Sequence, residues 1–133
     1  MAGTVTQAAT KRGPVAVVEL SCTGDSSDGS VPNTDITARM SGRLLALETN
    51  PGSTAPTSNY DITIVDANGH DVLEGVGANR HTSSTEKVSI VFSGTSVNPP
   101  VAADDVLTFK VANQNVNNAT YIVRVYVLGS LEA

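Results

Sequence analysis

Apolar residues in this chain recur at every second position, in short runs. Tyr60, Ile62 and Ile64 alternate with Asp61 and Thr63. Val88, Ile90 and Phe92 alternate with Ser89 and Ser93, and Leu107, Phe109 and Val111 with Thr108 and Lys110. This is the period of a strand with one buried face. Few segments show the i, i+3, i+4 spacing of a helix, and Gly, Pro, Asn and Asp clusters punctuate the runs. The pattern predicts an all-β fold: an antiparallel β-sandwich or barrel, jelly-roll-like or immunoglobulin-like, of about seven to nine strands. No connection is long enough for a crossover helix, so neighbouring strands are expected to be antiparallel.

In chain order, residues 1–13 (MAGTVTQAATKRG) are small and polar with no packing pattern. They read as a flexible arm, or as one that orders only against a partner. Residues 14–133 form a single β-sandwich domain. Its first strand is Val15–Leu20, followed by the polar loop Thr23–Asn33. Asp35–Met40 and Arg43–Thr49 read as two strand segments joined by a bulge or bend at Ser41-Gly42, with a helical turn over Asp35–Met40 as the alternative. Asn50–Ser58 is a loop. Tyr60–Gly75, YDITIVDANGHDVLEG, reads as a complete β-hairpin. Asp66 and Asn68-Gly69 supply its turn, and Asp71–Glu74 its returning strand. Val76–Lys87 is irregular, Gly94–Asp105 is a loop stiffened by Asn98-Pro99-Pro100, and Asn113–Asn118 is a turn.

The closing strand Thr120–Leu128, TYIVRVYVL, is apolar on both sides. Tyr121, Val123, Val125 and Val127 fill one face, while Ile122, Tyr126 and Leu128 fill the other, interrupted only by Arg124. A strand of this kind is normally covered on both faces. Loops, the N-terminal arm or another subunit would have to cover the second one.

Thirteen acidic against eight basic residues give a formal net charge of −5. The only adjacent basic pair is Lys11-Arg12, a weak basis for binding nucleic acid through phosphates. Cys22 is the single cysteine and cannot form an internal disulfide; it reads as a small buried hydrophobe. No apolar run is long enough for a membrane-spanning helix, and the first residues lack the charged-then-apolar order of a secretion signal. The expectation is a soluble protein made in a reducing cytoplasm.

Asp61, Asp66 and Asp71 crowd the proposed hairpin, but DANGHD lacks the alternating ligands and terminal Glu of a calcium loop. Asp104-Asp105 reads as a turn-capping pair. His70 and His81 are too far from Cys22 in sequence to suggest a zinc site, and no G-x-S-x-G elbow accompanies the serines. Asn118-Ala-Thr120 matches a glycosylation acceptor that no secretion signal supports. No catalytic, cofactor-binding or metal-binding residue is assigned.

From Gly42 onward the chain resembles small structural proteins of tailed bacteriophages. The resemblance runs through GRLLALETNPG, the loop STAPTSN, YDITIVDANGHDVLEGVGANRHTSS and the closing LTFKVANQNVNNATYIVRVYVL; its most specific part is YDIT…D..G.DVL…ANR. It implies a non-enzymatic virion component, foremost a capsid decoration (cement) protein that binds the major capsid protein or other virion proteins and stabilises the assembled shell. It also implies a homo-oligomer, with a trimer favoured; the acidic charge and the lack of a long apolar run already point to neither nucleic acid nor membrane as partner. A tail, baseplate or head-fibre accessory protein is the neighbouring reading. A receptor- or glycan-binding adhesin, using loops Asn50–Ser58 and Val76–Lys87, and a small hydrolase are readings from other classes. Lys11 and Arg12 on the arm, and Tyr121, Arg124, Tyr126 and Leu128 on the closing strand, are the candidate partner-binding residues.

Overall fold

The structure, a computed structural model, describes residues 2–90 and 101–132. Among them are nine strands and no helix: β1 (Thr4–Arg12), β2 (Val15–Thr23), β3 (Thr34–Asp35), β4 (Arg39–Pro51), β5 (Asp61–Val65), β6 (Glu86–Ser89), β7 (Val101–Asp105), β8 (Thr108–Ala112) and β9 (Thr120–Glu132). They form two antiparallel sheets. The larger runs β1-β2-β9-β4-β6, with β7 also paired to β4; the smaller runs β3-β8-β5. The arrangement is a β-sandwich, not a closed barrel.

The two longest strands, β4 and β9, are neighbours in register from Arg39↔Glu132 to Pro51↔Tyr121. Where Gly42 faces Gly129 their backbones approach closely. Both residues have positive φ, 138° and 154°. A Cβ on Gly42 would collide with Leu128 O, and one on Gly129 with Ser41 O. Only glycine permits this approach. A register shift between Leu44 and Ala46 adds a bulge. A second shift, between Met40 and Ser41 in the pairing with β7, puts irregularities on both sides of the expected Ser41-Gly42 site. The expected strand Asp35–Met40 is not one: Asp35 ends β3 in the small sheet, residues 36–38 lie in no strand, and β4 starts at Arg39 in the large sheet; residues 35–40 form no helical turn either.

The core follows from the period-two pattern. Ala16, Val18, Leu20 and Cys22 of β2, Leu44 and Leu47 of β4, Ile62 and Ile64 of β5, Phe109 of β8, and Tyr121, Val123, Val125 and Val127 of β9 are all buried. Each of the Val, Leu, Ile and Phe side chains contributes roughly 1.5–3 kcal/mol on leaving water. The Tyr60 and Tyr121 rings meet at 5.3 Å with planes tilted by 51°. Burial pushes the Cys22 thiol and the Tyr60 hydroxyl each up to about 12, and raises Tyr121 as well. Cys22 is thus the buried hydrophobe its context suggested.

Three further sequence expectations change. Residues 4–12 are not an unpatterned arm: β1 pairs with β2 without a break, from Thr4↔Thr23 to Arg12↔Val15. Apolar patterning is weak there because only one face of β1 meets the protein, and mostly through small or polar side chains. The Gln7 amide Nε2 donates to Asp35 O, and its Oε1 accepts from Thr37 N, both at 2.9 Å.

Tyr60–Gly75 is not a hairpin. β5 pairs with β8, from Asp61↔Ala112 to Val65↔Thr108. After the turn, the chain returns to β5 through the single bridge Val65↔Asp71 and the bond from Val72 N to Ile64 O. It then curls into turns through Glu74 and Gly75, whose φ values of 54° and 84° leave the β region. Val72 and Leu73 plug the core from this curl instead of from a strand.

The Gly94–Asp105 loop also needs correction, because its end, Val101–Asp105, is strand β7 against Met40–Arg43. The remainder of that loop, together with Phe92 and Ser93 of the preceding expected strand, lies outside the described residues.

Candidate functional site

The second face of β9 is the outer face of the large sheet, and sheet register determines what surrounds it. Arg124 stands between Glu19 of β2 and Glu48 of β4. Its Nε donates to Glu19 Oε2 at 2.7 Å, and its Nη1 to Glu48 Oε1 at 3.1 Å. These two carboxylates, Glu19 foremost, hold the guanidinium pKa above its ordinary value. The Tyr126 hydroxyl donates to the same Glu48 oxygen at 3.1 Å. Lys87 of β6, opposite Glu48, places its ammonium 4.0 Å from the Tyr126 ring centroid. A cation over an aromatic face is worth about 0.5–1 kcal/mol at an exposed site.

Leu128 lies beyond Tyr126 and is 40% exposed. Val15 and Val17 of β2 are directly opposite Leu128 and Tyr126 and are half-buried. The face is therefore an apolar patch of Val15, Val17, Tyr126 and Leu128 beside a charge row in which every member has a partner. The described surroundings leave the patch partly open.

Of the candidate partner-binding residues, Arg124, Tyr126 and Leu128 lie together on this face. Arg12 is in the same row as Leu128, two strands away across Val15. Lys11 is exposed but opposite Ala16, in the row of inward-facing residues. Tyr121 does not belong to the face: it points into the core and is 1% exposed. The same alternation that puts Arg124 and Tyr126 outside puts Tyr121 inside. Glu19, Glu48 and Lys87 were not singled out from sequence. Val15-Ala-Val-Val-Glu-Leu20 is apolar on both faces, much as the closing strand is, and this was the available signal that β2 would extend the patch.

The acidic loop residues are engaged elsewhere. Asp66 Oδ1 accepts from Asn68 N and His70 N at 2.9 and 3.0 Å. Asp71 accepts from Ile64 N, Leu73 N and Gly75 N at 3.0–3.2 Å. Asp61 accepts from Asn79 N and the Asn113 side chain. His70 Nε2 lies 2.6 Å from Glu74, and His81 Nδ1 accepts from Ser83 N and Ser84 N at 3.0 and 2.9 Å. Among the described residues no three His, Cys, Asp or Glu side chains converge as a metal site. Among the described residues no helix is long and apolar enough to cross a membrane.

A loop anchor was also missed. Gln114, read as part of a turn, is 5% exposed; its Nε2 donates to Gly29 O at 2.6 Å, and its Oε1 accepts from Thr57 N at 2.9 Å and Val116 N at 3.0 Å. Two further loops are thereby tied to its own.

No protein-family model, curated protein or solved structure matches this chain.

Proposed function

We propose that the protein is a non-enzymatic structural component of a tailed-bacteriophage virion, a decoration protein that docks on the assembled major capsid shell through the outer face of β9. The observation that carries this reading is the pre-set geometry around Tyr126. Its hydroxyl is held by Glu48, its ring is bracketed by Lys87, and Val17 and Leu128 flank it. An aromatic side chain already held in one orientation loses little freedom on binding, which is what an interface anchor requires. Arg124 is already compensated by Glu19 and Glu48, so covering the face buries no unpaired charge. The resemblance carried by residues 42–128 supplies the identity of the partner.

The mechanism is mass action. A protein that binds the assembled shell and not its dissociated subunits stabilises the assembly by RT ln(1 + [L]/Kd). Quantitative mass spectrometry of purified particles should find the chain in fixed stoichiometry with the major capsid protein; its absence would overturn the assignment. Particles assembled with Tyr126→Asp should lose the protein while the isolated variant keeps its β-sheet circular dichroism. Unchanged occupancy would remove this face from the interface.

A further inference from the structure

β1 is the terminal strand of the large sheet, and among the described residues it pairs with β2 alone. One side of a nine-residue backbone therefore presents N–H and C=O groups to solvent. Natural sheets usually blunt such an edge with proline, a bulge, a short length or an inward charge. Thr4–Arg12 contains no proline, its register with β2 does not shift, and its charged residues, Lys11 and Arg12, are confined to its last two positions, leaving Thr4–Thr10 without such a guard. The strand is held straight from behind. Gln7 clamps it to residues 35–37, and Gly3 packs so closely on the 25–30 turn that a Cβ there would collide with Ser30 O. At the other end of the described order, β6 has only four residues.

The two ends of this edge carry opposite charge. Exposed Lys11 and Arg12 stand at the C-terminal end. At the N-terminal end, beside Gly3, is the turn carrying Asp25 and Asp28. Their carboxylates accept from Ser27 N and Ser30 N at 2.6 and 2.9 Å, which fixes them in place. The middle of the strand, Ala8-Ala9, has small side chains that do not obstruct a neighbour.

We propose that β1 is a self-association edge: two copies of the chain pair antiparallel through β1 about a two-fold axis at Ala8, making one continuous sheet across the dimer. This register uses the whole strand, setting Arg12 against Thr4 and Lys11 against Val5 of the second copy. Each basic end then lies beside the acidic turn of the other copy, twice per dimer. Parallel pairing would instead place the two basic ends together. The edge is distinct from the outer face around Tyr126, and the inference does not rest on the proposed function.

Sedimentation velocity of the full chain at low ionic strength, over a micromolar-to-millimolar series, should show a monomer–dimer equilibrium. Lys11→Glu/Arg12→Glu should weaken dimerisation at least about tenfold, because both contacts become repulsive. Tyr126→Asp should leave it unchanged. Ala8→Cys in a Cys22→Val background should form a disulfide-linked dimer under mild oxidation, since paired Cα atoms in antiparallel strands lie about 4.5–5.5 Å apart, within disulfide range. Circular dichroism identical to the parent's shows that each variant is folded. A strictly monomeric chain, a trimer, a dimer broken by Tyr126→Asp, or folded Ala8→Cys that does not cross-link would overturn the proposal. Capture of a foreign strand by a monomeric chain would do so too.

Discussion

The Asp66–Gly75 segment and the outer face of β9 both mix acids with apolar residues, yet they are held in opposite ways. In the first, Asp66 and Asp71 accept backbone N–H groups no more than seven residues away. In the second, Arg124 reaches Glu19 and Glu48, which are 105 and 76 residues distant. One is a local solution to unsatisfied backbone donors; the other exists only once β2, β9 and β4 are neighbours. Damage to the turn should therefore be felt as a local loss, and damage to the sheet order throughout the molecule.

The largest effect is expected from alkaline pH, which acts on the long-range core. Folding keeps the Cys22 thiol protonated up to about 12. The unfolded chain releases that proton near 8.5. The stabilisation is thus whole below about pH 8.5 and falls roughly tenfold in the folding constant per pH unit as the pH rises toward 12. Tyr60, also raised to about 12, and Tyr121 join from about pH 10. Urea midpoints should drop steeply between pH 9 and 11, by on the order of a hundredfold in the folding constant from Cys22 alone. Cys22→Val should remove the earliest part of the drop. A flat profile over this range would show that these groups reach solvent.

Next in size is Gly129→Val, which places a side chain against Ser41 O and Gly42 at the β4–β9 crossing. About 3 kcal/mol or more should be lost. Loss under about 1 kcal/mol would mean that the strands separate there without cost.

Asp71→Ala should cost about 2–3 kcal/mol, because three backbone donors lose their acceptor beside the buried Val72 and Leu73. Asp66→Ala, which frees two donors in an exposed turn, should cost about 1 kcal/mol. If the two losses prove equal, burial of the curl is not what makes Asp71 matter.

The same contrast explains what could be read from the sequence. Strand identity was legible wherever apolar residues alternate on a half-buried face, as in Ile62 and Ile64, Phe109, and Val123 to Val127. The Asp66 turn was legible because Asp and Asn-Gly act within a few residues. The partner of β5 was not. Nothing local distinguishes pairing with Asp71–Glu74 from pairing with Thr108–Ala112, and the left-handed φ at Glu74 that ends the first option has no sequence signal of its own. β1 was missed because an edge strand with one solvated side needs little hydrophobic patterning. On the candidate face, Arg124, Tyr126 and Leu128 followed from alternation in one strand. Glu19, Glu48 and Lys87 depended on sheet order, and Tyr121 was included against the alternation that places it inside.

The smallest expected change in stability comes from Arg124→Gln. The arginine is 36% exposed, so water and salt screen its two ion pairs, and removing them should cost about 1 kcal/mol or less. Its larger consequence lies in the face. Without the guanidinium, Glu19 loses its ion pair and Glu48 keeps only the Tyr126 hydroxyl and Lys87 beside it, which leaves the row with an unbalanced negative charge. Attachment to a partner through this face should then weaken far more than folding does. Restoring neutrality with Glu19→Gln in the same chain should recover part of it. A urea midpoint shift as large as that of Asp71→Ala would reverse this ordering and make Arg124 a pillar of the sheet instead of a feature of its surface.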